Sequence, residues 1–250
     1  MVNRYISIAI ASMLVVFGSY VVNFYYKLGY GLSDDVAVWA QLGDYAGGLL
    51  NPILSFISLV LLIKSLTLQN EANLDLRKEL KINEKTEKLR SFETHFFNML
   101  NSQKVSFDSF KLKFEVDNNF IEKVGVEAVI AIEEHISELL DSSDNYEESI
   151  SAYLEELDET DKIYSATRIF YIIVKMVNDK LTDEDGFSAQ DRKSHLLTLI
   201  NFTEFSLLRL IMISLQFMDC HPTKYLKSNA EFNAALDEVG IEYDLYKPEK

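Results

Sequence analysis

The chain has 250 residues and a formal net charge of −15, from 24 Lys and Arg against 39 Asp and Glu. So acidic a body repels phosphate backbones, which argues against general nucleic-acid binding by the chain alone. With one cysteine, Cys220, no internal disulfide forms, and the three prolines and apolar residues at helical spacing predict an all-α fold. Composition divides along the length: the first sixty-odd residues are mostly apolar, and the remainder is rich in Lys, Glu, Asp and Asn.

The first apolar run, Tyr5 to Phe24, carries no charge. At about 1.5 Å per residue it covers roughly the 30 Å of a bilayer's hydrocarbon core. Tyr20, Tyr25 and Tyr26 gather towards its end, as interfacial aromatics do. A cleaved signal peptide is the rival reading, but the run is long for one and no small-x-small cleavage site follows. After the short loop "KLGYGLSDD" comes a second span, about 40–63, ending at Lys64. Arg77, Lys78, Lys81, Lys85, Lys88 and Arg90 lie beyond it, and Arg4 precedes the first span. These basic flanks put both termini in the cytoplasm and the loop outside, and a lone thiol suits that reducing compartment.

The second span is unusual for a membrane helix: "GDYAGGLLNPILSFIS" contains Asp, Asn, Pro and three Gly. At about 100° per residue, Gly43, Asp44, Gly47, Asn51, Ser55 and Ser58 fall within an arc of roughly 120°, together with Leu54. Leu49, Ile53, Phe56, Ile57 and Val60 take the opposite side. Pro52 removes a backbone donor and leaves the carbonyl near Gly48 without its helical partner. Two readings stand. Gly43-x-x-x-Gly47 lets helices approach closely while Asn51 and the serines hydrogen-bond across an interface. Alternatively the face is lined by water inside an oligomer, because lipid cannot solvate it.

From Lys64 to about Arg90 the chain reads as a charged connecting helix (65–91), with Leu62, Leu66, Leu76 and Leu80 near heptad spacing and Gln69 and Asn73 interrupting. It is either a short oligomerising coiled coil or a solvated connector. A cytoplasmic helical domain, 92–250, follows. Phe92, Phe96, Phe97 and Leu100 mark one core-facing helical side. "IEKVGVEAVIAIEEHISELL" is an amphipathic helix with Val126, Val129, Ile130 and Ile136 inward, and "DSSDNYEESISAYLEELDETDK" is an acidic turn and short surface helix. The next helix buries Ile169, Ile173, Met176 and Val177. "SAQDRKSHLLTLINFTEFSLLRLIMISLQFM" is long, with a break at Asn201–Thr203. Its end, Phe205 to Met218, is too short for a third span and holds Arg209, so it reads as a core helix. His221-Pro222 ends it, and a last short helix lies near Asn229–Val239.

No phosphate loop, dinucleotide fingerprint or His-Glu-x-x-His occurs. Cys220-His221 lacks further ligands at zinc spacing. Glu133, Glu134 and His135 read as a solvated helix face. Asp183, Asp185 and Gly186 match part of a calcium loop without its later acidic ligand. The expectation is therefore a chain that is not an enzyme and needs no cofactor or metal.

The segment Trp39 to Gln69, with Gly-Asp-Tyr, Gly-Gly and Asn-Pro ahead of an apolar run, resembles the putative phage abortive infection proteins, or AbiC-like family. The resemblance continues at "FETHFFNML", including Phe92, Glu93, Phe96 and Phe97. At "TRIFYIIVKMV", Arg168 and Tyr171 fit a family Tyr-Phe-Arg-x-x-Tyr pattern that Ala166 and Thr167 break. Glu204 matches a late-helix Glu without the preceding Arg-Ala-Gln. The resemblance implies anti-phage defence through abortive infection; with the two spans, the expectation is a multi-pass effector of the bacterial inner membrane that kills or arrests the infected cell by depolarising it. A homo-oligomer in the lipid bilayer is expected from the polar face, and the resemblance implies a restraining partner such as a retron reverse transcriptase with its RNA–DNA product. A membrane-tethered sensor or adaptor that binds a phage or host protein without forming a pore is the alternative.

Overall fold

The computed structural model describes residues 2–29, 31–116, 119–142 and 145–247. Helices dominate. Helix α1 (Val2–Tyr20) continues as a π-helix (Val21–Lys27), and α2 (Val36–Asp108) follows. Next come strands β1 (Lys111–Val116) and β2 (Asn119–Val124), then α3 (Val126–Ser142), α4 (Tyr146–Leu157) and α5 (Lys162–Lys180). The chain closes with α6 (Ala189–Phe202), α7 (Phe205–Phe217), α8 (His221–Ser228) and α9 (Ala230–Glu238). Contacts divide it into two compact units, Met1–Lys81 and Ile82–Lys250. The division falls within the expected connecting helix, and α2 passes through it unbroken.

In the first unit, two helices are long and apolar enough to span a membrane, Arg4–Lys27 and α2, each with a window of mean hydropathy 2.1. Asp35 starts α2: its carboxylate accepts from the Ala37 N–H at 2.9 Å and its carbonyl from the Val38 N–H at 3.2 Å, which satisfies two otherwise orphan donors. The two helices run antiparallel. Ser19 Oγ lies 3.1 Å from the Tyr45 hydroxyl near one end, and Lys64 Nζ sits 5.8 Å from the Tyr5 ring centroid at the other. Among the described residues of this unit, Val16 and Ala46 are the buried ones.

The second unit has a real hydrophobic core with α7 at its centre, where Leu210, Ile211, Ile213 and Leu215 are fully buried. Helix α7 packs on α3, α4, α5 and α8, while α6 packs on α5 and α9. The expected break is present: α6 and α7 bend by 111° around Thr203–Glu204, and α7 serves the core. Capping explains several boundaries. The Ser188 hydroxyl accepts from the Asp191 N–H while the Asp191 carboxylate accepts from the Ser188 N–H, closing a capping box on α6. Asn229 Oδ1 accepts from the Phe232 N–H at the start of α9.

Five expectations are corrected. The all-α fold gives way to a mainly helical one with an antiparallel β-hairpin, in which Lys111 pairs with Val124 and Phe114 with Ile121. A helix from Ile121 is replaced by β2, and α3 begins only at Val126, after Gly125 turns the chain at φ +52° and donates its N–H to the Phe110 carbonyl at 2.7 Å. The sequence signal was there: Phe110, Leu112 and Phe114 alternate with Lys111, Lys113 and Glu115, the period of a strand. Val126 and Ile130 are exposed, whereas Val129, Ile132 and Ile136 are buried. The acidic segment is more than surface, since α4 buries Ile150 and Leu154. Finally, His221-Pro222 opens α8, proline being tolerated in a first helical turn because its missing N–H is unneeded there.

Candidate functional site

The polar face of α2 is settled by where α1 lies. On α2, Ala46 is buried and Leu42, Leu50, Leu54, Ile57 and Leu61 are half-buried, which defines the side covered by α1. Gly43, Asp44, Asn51, Ser55 and Ser58 are exposed, and Gly47 is half-buried at the edge. On helical geometry the polar arc is rotated by roughly 100° from the α1-facing side. Asn51, Ser55 and Ser58 make no side-chain hydrogen bond with any described residue. A methyl group added at Gly43 meets nothing within 4 Å, and one at Gly47 lies 3.8 Å from Asn51 Nδ2. The small residues therefore do not serve the packing of α1 on α2.

Pro52 belongs elsewhere. It lines an apolar cleft of about 490 Å³ beside α1, with Tyr5, Ile8, Ile53, Phe56, Ile57 and Val60. The structure thus separates the polar arc from the proline that interrupts the helix ladder next to it. Chemically, the arc offers an acid (Asp44), an amide (Asn51) and two hydroxyls (Ser55, Ser58), able to donate and accept but with no nucleophile and base paired for covalent chemistry.

The residues singled out in the second unit separate. Phe92 and Phe96 are buried and pack edge-on against the His195 ring at centroid distances of 5.0 and 5.5 Å. Glu93 Oε1 lies 3.8 Å from His195 Nε2, and His195 Nδ1 lies 2.8 Å from the Asp191 carbonyl. Phe97 is corrected: at 50% exposure it faces away from this cluster. Its place on the buried side passes to Met99 and Gln103. Arg168 and Glu204 are exposed on separate elements. The Tyr171 hydroxyl lies 3.3 Å from His221 Nε2, and its ring also meets Tyr225. These residues form a packing cluster and a surface ring group, and no common site.

Two ionic clusters escaped the sequence reading. Arg192 is nearly buried: it donates from Nε and Nη2 to Glu231 at 2.8–3.0 Å and from Nη1 to the Leu181 carbonyl at 2.9 Å and to Asp183 at 3.0 Å. Asp183 is thereby occupied, and Asp185 takes Lys88 at 2.8 Å, so the loop that matches part of a calcium site is spent on cations. Glu133, expected on a solvated face, accepts from Arg209 at 2.7 Å and from the Tyr246 hydroxyl at 2.7 Å. Burial, and then the bond to Glu133, push the Tyr246 phenol far above its ordinary value. Gln216 clamps the Tyr246 backbone through two hydrogen bonds, which docks the C-terminal segment on the core. The one sequence hint was Arg209 within an apolar run, a charge that needs a partner. Among the described residues, no three His, Cys, Asp or Glu side chains converge as metal ligands.

No protein-family model, curated protein or solved structure matches the chain.

Proposed function

We propose that this chain is a membrane effector of anti-phage defence that acts by abortive infection, depolarising the bacterial inner membrane without enzymatic chemistry. The observation that carries the reading is the uncovered polar face of an apolar helix: Asn51, Ser55 and Ser58 are exposed and without partners among the described residues. In hydrocarbon an unsatisfied polar group costs several kcal/mol, so such a face must meet protein or water. The resemblance of Trp39–Gln69 to abortive infection proteins gives the biological direction. In this scheme the second unit receives a signal or holds a restraining partner, such as a reverse transcriptase with its RNA–DNA product. Release of the partner biases a two-state membrane assembly. Asp44 then favours cations at the mouth of the path, and Asn51, Ser55 and Ser58 supply polar groups along it.

A tethered adaptor draws on a separate observation: Phe202 and Phe205 stand 73% and 67% exposed at the α6–α7 bend, beside Glu204. Exposed aromatics are suited to binding another protein.

Membrane potential and dye entry in cells making the full chain, with and without phage challenge, separate the two. Depolarisation ahead of loss of viability is the expected result. Asn51→Leu is expected to abolish it while the protein still inserts. Growth arrest or phage blockade with the potential intact overturns the leak and favours the adaptor.

A further inference from the structure

The polar face does not end where the apolar run ends. Stepping along α2 from Asp44 through Gly47, Asn51, Ser55 and Ser58, the same side of the helix continues through Leu62, Leu66, Gln69, Asn73, Leu76 and Leu80. The steps are three or four residues and average about 3.6, the period of a straight α-helix, so the line neither winds nor drifts. Every residue from Leu62 to Leu80 on this line is exposed. Between Lys64 and Lys81 the helix carries Lys64, Glu71, Asp75, Arg77, Lys78, Glu79 and Lys81, and none of them falls on the line. A solvated connector has no reason to keep one side free of charge through so charged a stretch.

From this we propose that the line is a self-association seam, on which the α2 helix of a second copy of this chain lies parallel and in register. The hydrogen-bonding chemistry identifies the occupant. Asn51, Ser55, Ser58, Gln69 and Asn73 each both donate and accept, so each can satisfy its own counterpart across a symmetric interface. Asp44, at the head of the line, only accepts when ionised and stands outside this matching; beyond it every polar position is self-complementary, which a partner of different chemistry would not require. Copies inserted with the same orientation hold these positions at the same depth, which makes parallel, in-register pairing the arrangement that matches them. Within the membrane, Gly43 and Gly47 permit close approach where the chain itself supplies no neighbour. Beyond it, leucine layers supply apolar burial and Asn73 fixes register, as a core asparagine does in a coiled coil. The inference rests on the membrane placement of α2 in the proposed function, and it holds whether or not the assembly conducts.

Disulfide scanning of the full chain in native membranes tests it. In a Cys220→Ser background, single cysteines replace Gln69, Asn73, Leu76 and Leu80 on the line, and Leu68, Glu71, Leu74 and Lys78 off it. Bridging needs Cα atoms within about 7 Å, so mild oxidation reads proximity directly. Cross-linked dimer is expected several-fold more abundant at the four seam positions than at the other four. Equal yields at all eight, no dimer at any, or a maximum on the Leu68–Leu74 side overturns the seam. The two readings fail separately. Seam cross-links without depolarisation remove the leak and keep the seam, and depolarisation without seam cross-links does the reverse.

Discussion

Asp158 accepts hydrogen bonds from the backbone N–H groups of Ile163 and Tyr164 at 2.7 and 2.8 Å, in the turn that starts α5. Burial nevertheless pushes its pKa above the ordinary carboxylate value, and those backbone donors only partly offset the rise. Asp191, capping α6, is half-buried, and the Ser188 N–H followed by the Ser188 hydroxyl holds its pKa below the ordinary carboxylate value. Linkage gives the two opposite signs. The raised group binds its proton more tightly when folded, so its contribution is present in acid and lost as pH rises through the folded pKa. The lowered group contributes above the ordinary carboxylate value, and that contribution is lost as pH falls through its folded pKa. Thermal unfolding of the full chain in detergent, followed by circular dichroism, should show Asp158→Asn gaining relative to the parent as pH rises through the carboxylate range. Asp191→Asn should lose relative to the parent over the same rise. Parallel pH profiles for parent and variants would disprove both assignments.

At the scale of the element, α3 shows how one residue of register decides burial. Val129, Ile132 and Ile136 are fully buried, and Ile130 is 42% exposed on the other side. Truncating a buried isoleucine leaves a cavity, so Ile132→Ala is expected to cost about 2–5 kcal/mol. Ile130→Ala is expected to stay within about 0.5 kcal/mol, as surface changes do. Denaturant unfolding measures both, and comparable losses would return Ile130 to the core. Helix α2 makes the complementary point. Between Ser65 and Lys88 no residue is buried, so side-by-side pairs such as Lys88–Glu84 at 3.1 Å contribute little to its stability. That stretch holds its shape through helix-forming composition and through the anchored segments on either side.

The whole molecule divides into a unit fit for hydrocarbon and a unit with a water-soluble protein's core. The first exposes Leu14, Val15, Phe17 and Phe56, and apolar surface of that extent is stable in lipid. The second buries a continuous cluster from Phe92 to Leu236. If the basic flanks orient the first unit, a topology reporter fused after Lys247 reads cytoplasmic, and one inserted at Leu32 in the connecting loop reads external. Both reporters on the same side would mean that only one apolar helix, or neither, crosses.

Much of this was written in local sequence. The two apolar runs, the break ahead of α7 and the role of α7 as a core helix follow from the length and spacing of apolar residues. The polar arc of α2 follows from the same period, because 3.6 residues per turn fixes which side chains share a side. Periodicity does not say which side is covered, since that depends on neighbours brought from far along the chain. Tertiary structure alone decided that α1 leaves Asn51 and the serines bare and that Phe97 turns outward while Phe92 and Phe96 enclose His195. It alone joined Glu133 to Arg209 and Tyr246, because contacts between residues so far apart in the chain leave no local trace beyond one arginine in an apolar run.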